Sequence, residues 1–198
     1  MLSGDAAGSR SGLVEHDQYD LVVFAESLET ERLRLRQPAV TDAEDVYQNY
    51  AADPEVTRYL TWRCHQDVSE TVAVLEHFHR AWDGQESIPW AIEAKDTGEV
   101  IGMIEARPAE VRVEVAYVLS RACWGQGLMT EAVSGVTTWA FEQGDVWRVW
   151  AIADTENLAS CRVLEKAGMQ REGRLHRWGY HPNVSTEPRD VWCYAAWR

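Results

Sequence analysis

Residues 120–132 read SRACWGQGLMTEA, and the reading of this stretch decides the fold. It lies between a β-branched and aromatic run at 111–119 (VRVEVAYVL) and a run of helical character at 128–143, so the chain passes from strand through a tight glycine turn into a helix. Gly125 and Gly127 let the backbone approach a bound group closely. A helix starting just after them offers unpaired N–H groups and the positive end of its dipole. Such a turn can seat an anion. A βα turn without a ligand fits the same residues, and the next helical segment bears on the choice.

Working outward, the 111–119 run alternates: Arg112, Glu114, Ala116 and Val118 share one face, opposite Val111, Val113, Val115 and Tyr117. In the following helix Leu128, Met129, Ala132, Val133, Val136, Trp139 and Ala140 fall in one apolar arc, with Thr130, Ser134, Thr137 and Thr138 outside it. Residues 146–153 (VWRVWAIA) are almost continuously apolar, as a strand buried on both faces would be, and a right-handed crossover should link the two strands. Residues 154–169 (DTENLASCRVLEKAGM) then predict a capped helix from about Asn157 that closes on Gly168. Asn157 and Ser160, at i and i+3, share a face at the N-terminal end of its buried stripe. An unpaired polar group there costs roughly 1–3 kcal/mol, so a partner is expected, and a polar ligand between two adjacent strand ends would supply one.

The N-terminal half is a meander with helices before it. Residues 32–36 (RLRLR) alternate as a strand stopped by Pro38. Thr41, with Glu44 three residues on, predicts a capping box opening a helix over 41–52, and a second helix covers about 67–82, with Val68, Val72, Leu75 and Phe78/His79 near one face. Residues 88–94 and 100–106 have strand character and are joined by a hairpin connection, KDTGE at 95–99.

The 198 residues suit one packed domain: 45% are hydrophobic and ten are tryptophan, while no apolar run approaches the ~20 residues that span a bilayer. The opening residues lack the apolar core of a secretory signal, and a cytoplasmic location is expected. The net charge of −13 argues against nucleic acid as a partner and for tolerance of a cationic substrate. Residues 1–28 read as an acidic, partly mobile arm, in which residues 19–25 could pack as an extra strand or turn, and residues 29–198 as the domain. Cys64, Cys123, Cys161 and Cys193 have no metal-ligand spacing and read as small buried hydrophobes; neither Cys64-His65 nor His77-x-His79 is taken as a metal site.

Two motifs in register carry a resemblance over about residues 28–198. WGQGLMTEA (124–132) resembles the pyrophosphate-binding turn of the GNAT superfamily of acyl-CoA N-acyltransferases, and N157-L-A-S160-C-R-V-L-E165-K166-A-G168-M169 resembles its N-x-x-S-x-x-x-x-E-K-x-G-F segment. TERLRLRQP (30–38), EVAYVL (114–119) and the closing REGRLHRWGY and RDVWCYA are similar to the RimJ/RimL group, which acetylates ribosomal-protein N-termini, and to its small-molecule relatives. Ala122, Ala116 and Met169 depart from the Arg or Gln, Gly and Phe common at those points.

The resemblance implies a mixed, mostly antiparallel α/β (α+β) sheet of about seven strands with about four helices, a splayed strand pair, and acetyl-CoA as co-substrate without a metal. The diphosphate would lie on the N–H groups of Trp124, Gly125, Gln126, Gly127, Leu128 and Met129, with Arg121, Arg162 or Lys166 offsetting the acidic field. Pantetheine would run beside Tyr117, Val118 and Leu119, held by Asn157, with the Val118 N–H facing the developing oxyanion. Glu114 is the candidate base for the acceptor amine, directly or through water, unless it is only an ion-pair partner of Arg112 or an exposed strand charge. Ser160 is the candidate proton donor to the thiolate, ahead of Cys161 and Tyr180, unless its hydroxyl only bonds back to its own helix. Residues 60–65, the helix from Asp67 and residues 174–181 would wall the acceptor site, with Trp62, Trp90, Trp178 and Tyr180 as its aromatic candidates. The expected function is acetyl transfer to a primary amine, of a protein N-terminus or a small molecule, by direct attack in a ternary complex, by a monomer or homodimer. An inactive acyl-CoA-binding regulator and, more remotely, a nucleotide-binding protein are the alternatives; the turn has neither a P-loop Lys-Ser/Thr nor a third dinucleotide glycine.

Overall fold

A computed structural model describes residues 25–198. Eight strands form one sheet among the described residues: β1 (Ser27–Glu29), β2 (Leu33–Arg36), β3 (Ile88–Ala94), β4 (Val100–Ala109), β5 (Arg112–Leu119), β6 (Arg148–Asp154), β7 (Gln170–Gly179) and β8 (Arg189–Trp197), in the order β1-β2-β3-β4-β5-β6-β8-β7. Among the described residues only β5 and β6 pair in parallel, as a strand–helix–strand unit requires, and five α-helices flank the sheet: α1 (Ala43–Val46), α2 (Pro54–Thr57), α3 (Val68–Asp83), α4 (Leu128–Glu142) and α5 (Leu158–Lys166). The excess over seven strands and four helices comes from two short pieces, the three-residue β1 and the single turn α2, neither long enough to show a period in sequence. The suggested packing of residues 19–25 lies outside the described residues except at Ala25, whose carbonyl accepts a hydrogen bond from Trp90 Nε1 at 3.1 Å.

The arc read on α4 is buried where expected and packs on the strands of the sheet, in one cluster with Leu33, Leu35, Ile92 and Val149. Thr137, expected outside it, is also buried, and its hydroxyl lacks a partner among the described residues. On α3 the arc lies slightly differently: Thr71, Leu75 and Ala81 are buried, whereas Val68 and His79 are exposed.

Thr41 does not cap the first helix. The carboxylate of Asp42 receives both terminal nitrogens of Arg36 at 2.9 Å and the Ala39 N–H at 2.8 Å, so the chain enters through a 3₁₀ turn (Val40–Asp42), continues as α1 and widens into a π turn (Tyr47–Ala51). The ion pair between Arg36 of β2 and Asp42 of the next turn outweighs the Thr41 capping box, and the 41–52 helix is broken accordingly.

One detail of the sheet creates the site. The pairing of β5 with β6 runs only from Arg112↔Arg148 to Glu114↔Trp150; beyond it β6 stays with β8 while β5 stays with β4. From Val115 onward the two strands diverge. The expectation that residues 146–153 are buried on both faces fails for this reason: Val149, Ala151 and Ala153 are buried, while Trp150 and Ile152 are only half-buried, with Ile152 facing the gap.

Candidate active site

Two cavities open into the cleft between β5 and β6, one of about 400 Å³ over the glycine turn and one of about 640 Å³ on the α3 side. Leu60, Tyr117, Val118, Asn157 and Ser160 line both, so the cavities meet at those five residues. A ligand filling each would touch the other there.

The smaller cavity is built by the turn and the starts of two helices. Gly125 and Gly127 have φ of 76° and 81°, in the left-handed region, which a Cβ would strain. The N–H groups of Gly125 to Thr130 have no partner among the described residues; the first committed one is Glu131 N–H, to Gly127 O at 3.0 Å. The seat therefore begins one residue later than expected, since Trp124 N–H already donates to Arg121 O at 3.1 Å. Trp124 instead donates its indole Nε1 to Leu119 O at 2.9 Å, tying the turn to the end of β5. Gln126 does not line the cavity. Its carbonyl accepts from Arg32 at 3.0 Å and its amide donates to Ala122 O at 3.0 Å, so it braces the outside of the turn. Tyr117, Val118, Leu119, Trp124, Gly125, Gly127, Leu128, Met129, Asn157, Ser160 and Lys166 all line it, as does Arg162, whereas Arg121 is paired with Asp53 at 2.9 Å.

Backbone direction corrects a second expectation. Ser120 N–H donates to Ile101 O at 2.7 Å, which places Ser120, Val118 and Ala116 in the bonding phase that faces β4. A Cβ built on Gly102 would lie 2.4 Å from Val118 O, on that same side. The backbone groups of Tyr117 and Leu119 point the other way, toward the gap, as the Trp124 bond to Leu119 O shows. The N–H facing the gap is thus that of Tyr117, not Val118.

Asn157 is the N-cap of α5, its Oδ1 accepting from Ser160 N–H at 3.2 Å, and Gly168 closes the helix at φ 88°. Ser160 Oγ lies 2.8 Å from Tyr117 Oη, a contact between elements that no spacing in the chain predicts. Burial pushes the Tyr117 hydroxyl well above the ordinary tyrosine range, outweighing the lowering by Ser160, so it stays protonated at neutral pH. Cys161 points away into the core, where burial raises its thiol, and Cys64, Cys123 and Cys193 are only half-buried.

In the larger cavity Glu114 faces Arg107 across the β4–β5 pair, 3.7 Å from its Nη1, rather than Arg112; Arg107 Nη2 also holds Glu105 at 2.5 Å. Glu105 was not read from the sequence, because its place opposite Ala116 depends on the hairpin register. Trp62 lines this cavity; Trp90, Trp178 and Tyr180 line neither. Trp90 is completely buried between Trp82 and Trp139, edge to face with each, while Trp178 and Tyr180 are 56% and 62% exposed around the end of β7, the edge strand. The far wall is His181, whose Nδ1 lies 2.7 Å from the Asp154 carboxylate. Asp154, fully buried at the end of β6, also accepts from Arg189 Nε at 2.6 Å and Glu156 N–H at 2.9 Å. Burial alone would raise this carboxyl, but Arg189 and these hydrogen bonds bring it below the ordinary range.

Among the described residues no three His, Cys, Asp or Glu side chains gather as a metal site, and no helix is long and apolar enough to cross a membrane. The acetyltransferase (GNAT) domain family matches residues 32–170. YoaA, an uncharacterized N-acetyltransferase of Bacillus subtilis strain 168, is 33% identical over 156 residues, covering 77% of this chain and 88% of that protein. A ribosomal L7/L12 alpha-N-protein acetyltransferase, RimL, in complex with coenzyme A has a TM-score of 0.76 at 19% identity, over 87% of this chain and 98% of that one. The microcin C7 self-immunity acetyltransferase MccE, in complex with acetyl-CoA and AMP, has 0.76 at 18%, over 85% and 94%. Those two likenesses bear on the fold, and the domain match and the closer relative settle membership: the chain is an N-acetyltransferase of the GNAT family.

Proposed function

We propose that the protein transfers an acetyl group from acetyl-CoA to a primary amine by direct attack, with both substrates bound at once. The observation that carries this reading is the meeting of the two cavities at Tyr117, Asn157 and Ser160 in the gap between β5 and β6. Acetyl-CoA would supply an activated acetyl carbon and a thiol leaving group. The fit rests on the free N–H groups of Gly125 to Thr130 at the start of α4, which suit a diphosphate, with Arg162 and Lys166 beside them. RimL and MccE, which share the fold, are known in complexes with coenzyme A and acetyl-CoA respectively.

An alkylammonium must lose a proton before its nitrogen can attack. Glu114, 3.7 Å from the Arg107 guanidinium across the strand pair, would take that proton, directly or through water. The gap-facing Tyr117 N–H would stabilise charge gathering on the acetyl oxygen. As the C–N bond forms and the C–S bond breaks, the Ser160 and Tyr117 hydroxyls would hydrogen-bond the departing sulfur and deliver a proton to it. Glu114 passes its first proton to water before the second amine proton leaves by the same route, and water restores the hydroxyl pair, so the products are an amide, the CoA thiol and one released proton.

The test follows free thiol released from acetyl-CoA while amines are varied, with acetyl-CoA binding measured separately by calorimetry. Amine-dependent thiol release is expected. Tight binding with no release for any amine would refute turnover.

A further inference from the structure

We infer that the acceptor is a compact amine with a flat apolar or aromatic body, not a free amino acid or a peptide N-terminus. This inference rests on the acetyl-transfer reading of the site and narrows its acceptor. The larger cavity's volume of about 640 Å³ falls in the range that encloses a small organic ligand. Its inner surface comes from residues that are themselves buried or nearly so, among them Tyr50, Leu75, Met103 and His65. Trp62 stands over that surface, its ring 4.9 Å from the His65 ring. Burial holds His65 below the ordinary imidazole range, and its Nδ1 is engaged by Thr71 Oγ1 at 2.8 Å, so this wall is neutral at physiological pH.

The carboxylates lining the cavity are Glu105 and Glu114 beside Arg107, Asp154 at the far wall and the exposed Glu86. Glu105 and Glu114 are more enclosed than the single guanidinium between them: their side chains are 13% and 26% exposed against 46% for Arg107. Arg107 lies close against Glu105 and only loosely on Glu114, which leaves one carboxylate for one ammonium. Asp154 at the far wall is already matched by Arg189. An acceptor carboxylate would face Glu114, and the one guanidinium among the described lining residues, Arg107, is already engaged by the two glutamates.

The roof over this space is fastened. Asn183, in the connection from β7 to β8, donates to Thr57 O at 2.8 Å and Trp62 O at 2.7 Å and accepts from Cys64 N–H at 3.3 Å. The segment carrying Tyr59, Leu60 and Trp62 is thus tied to the opposite rim, which suits a small guest better than an extended polypeptide.

The experiment compares 2-phenylethylamine and tryptamine with spermidine, free phenylalanine and a short peptide, by thiol release from acetyl-CoA and by calorimetric binding to protein saturated with CoA. We expect kcat/KM for the aromatic amines at least tenfold above each of the others. Trp62→Ala should raise their KM about tenfold with acetyl-CoA affinity retained, and Trp62→Phe should restore most of it. Aromatic amines that bind the CoA-loaded protein without ever being acetylated would support the acceptor chemistry and refute the transferase reading. Faster turnover of the peptide, the amino acid or spermidine would overturn the inference and leave that reading standing. Absence of any binding by the aromatic amines would overturn it as well.

Discussion

At the scale of single residues, Glu114 and the Ser160–Tyr117 pair divide the proton chemistry, and each can be tested apart from binding. Glu114→Gln keeps size and hydrogen bonding but removes the base, so kcat should fall by about 10²-fold or more with acetyl-CoA affinity nearly unchanged. Turnover at the wild-type level across pH would take Glu114 out of the mechanism. Ser160 Oγ and Tyr117 Oη lie 2.8 Å apart and would act as one donor unit. Ser160→Ala and Tyr117→Phe should each lower kcat by about 10-fold, and the double variant should be little worse than either single one. Strictly additive losses in that double-mutant cycle would mean that the hydroxyls serve separate steps. Glu114 and Ser160 were legible as candidates from their motifs, but their partners were not. Arg107 reaches Glu114 through strand register and Tyr117 reaches Ser160 across the cleft, relations that exist only once the sheet has formed.

At the scale of elements, the turn before α4 and the parting of β5 from β6 make the site. Gly127 is the N-cap of α4 at φ 81°, and a Cβ there would meet nothing closer than Arg32 Nη2 at 3.7 Å. The penalty of a substitution is therefore backbone strain, roughly 1–2 kcal/mol for a residue forced into the left-handed region, and it falls on the N–H groups that form the seat. Gly127→Val should weaken acetyl-CoA binding at least tenfold by calorimetry while the circular dichroism spectrum stays native. Unchanged affinity would move the diphosphate elsewhere. The turn was readable because glycine placement and the switch from period 2 to period 3.6 are local signals. Where β5 leaves β6 was not, since Val115 to Leu119 and Trp150 to Asp154 remain strand in either arrangement.

For the molecule as a whole, Asp154 joins the C-terminal strands to the cleft, binding His181 and Arg189 from the far side of β6. Its carboxyl lies below the ordinary range in the fold, so its contribution to stability is present above the unfolded-state value and is lost as pH falls below about 4. Asp190 acts in the same direction: the Arg177 N–H, His176 and Arg174 bring its carboxyl to about 2. Acid unfolding followed by tryptophan fluorescence should therefore steepen below about pH 4. Asp154→Asn should cost about 3 kcal/mol at neutral pH by leaving Arg189 and His181 short of a partner, and should flatten the acid limb. An acid limb as steep as in the wild type would show that the stability lost in acid comes from other carboxylates.

Much of the protein was determined by the sequence alone. The glycine turn, the apolar arc of α4, the Asn157 cap and Gly168 stop of α5, and the hairpin at residues 95–99 are each set by chemistry among residues close together in the chain, and they were read correctly. Two motifs in register then carried the family. Tertiary structure decided the rest. Trp90 became core instead of acceptor wall because Trp82 and Trp139, from two different helices, close over it. The first helix broke at Asp42 because Arg36 reached it from β2. The Val118 N–H turned from the cleft because bonding phase depends on which neighbour a strand pairs with. In each case the deciding energy lies between groups on different elements, whose meeting no local pattern specifies. Local pattern can say what an element is, and only packing says what it faces.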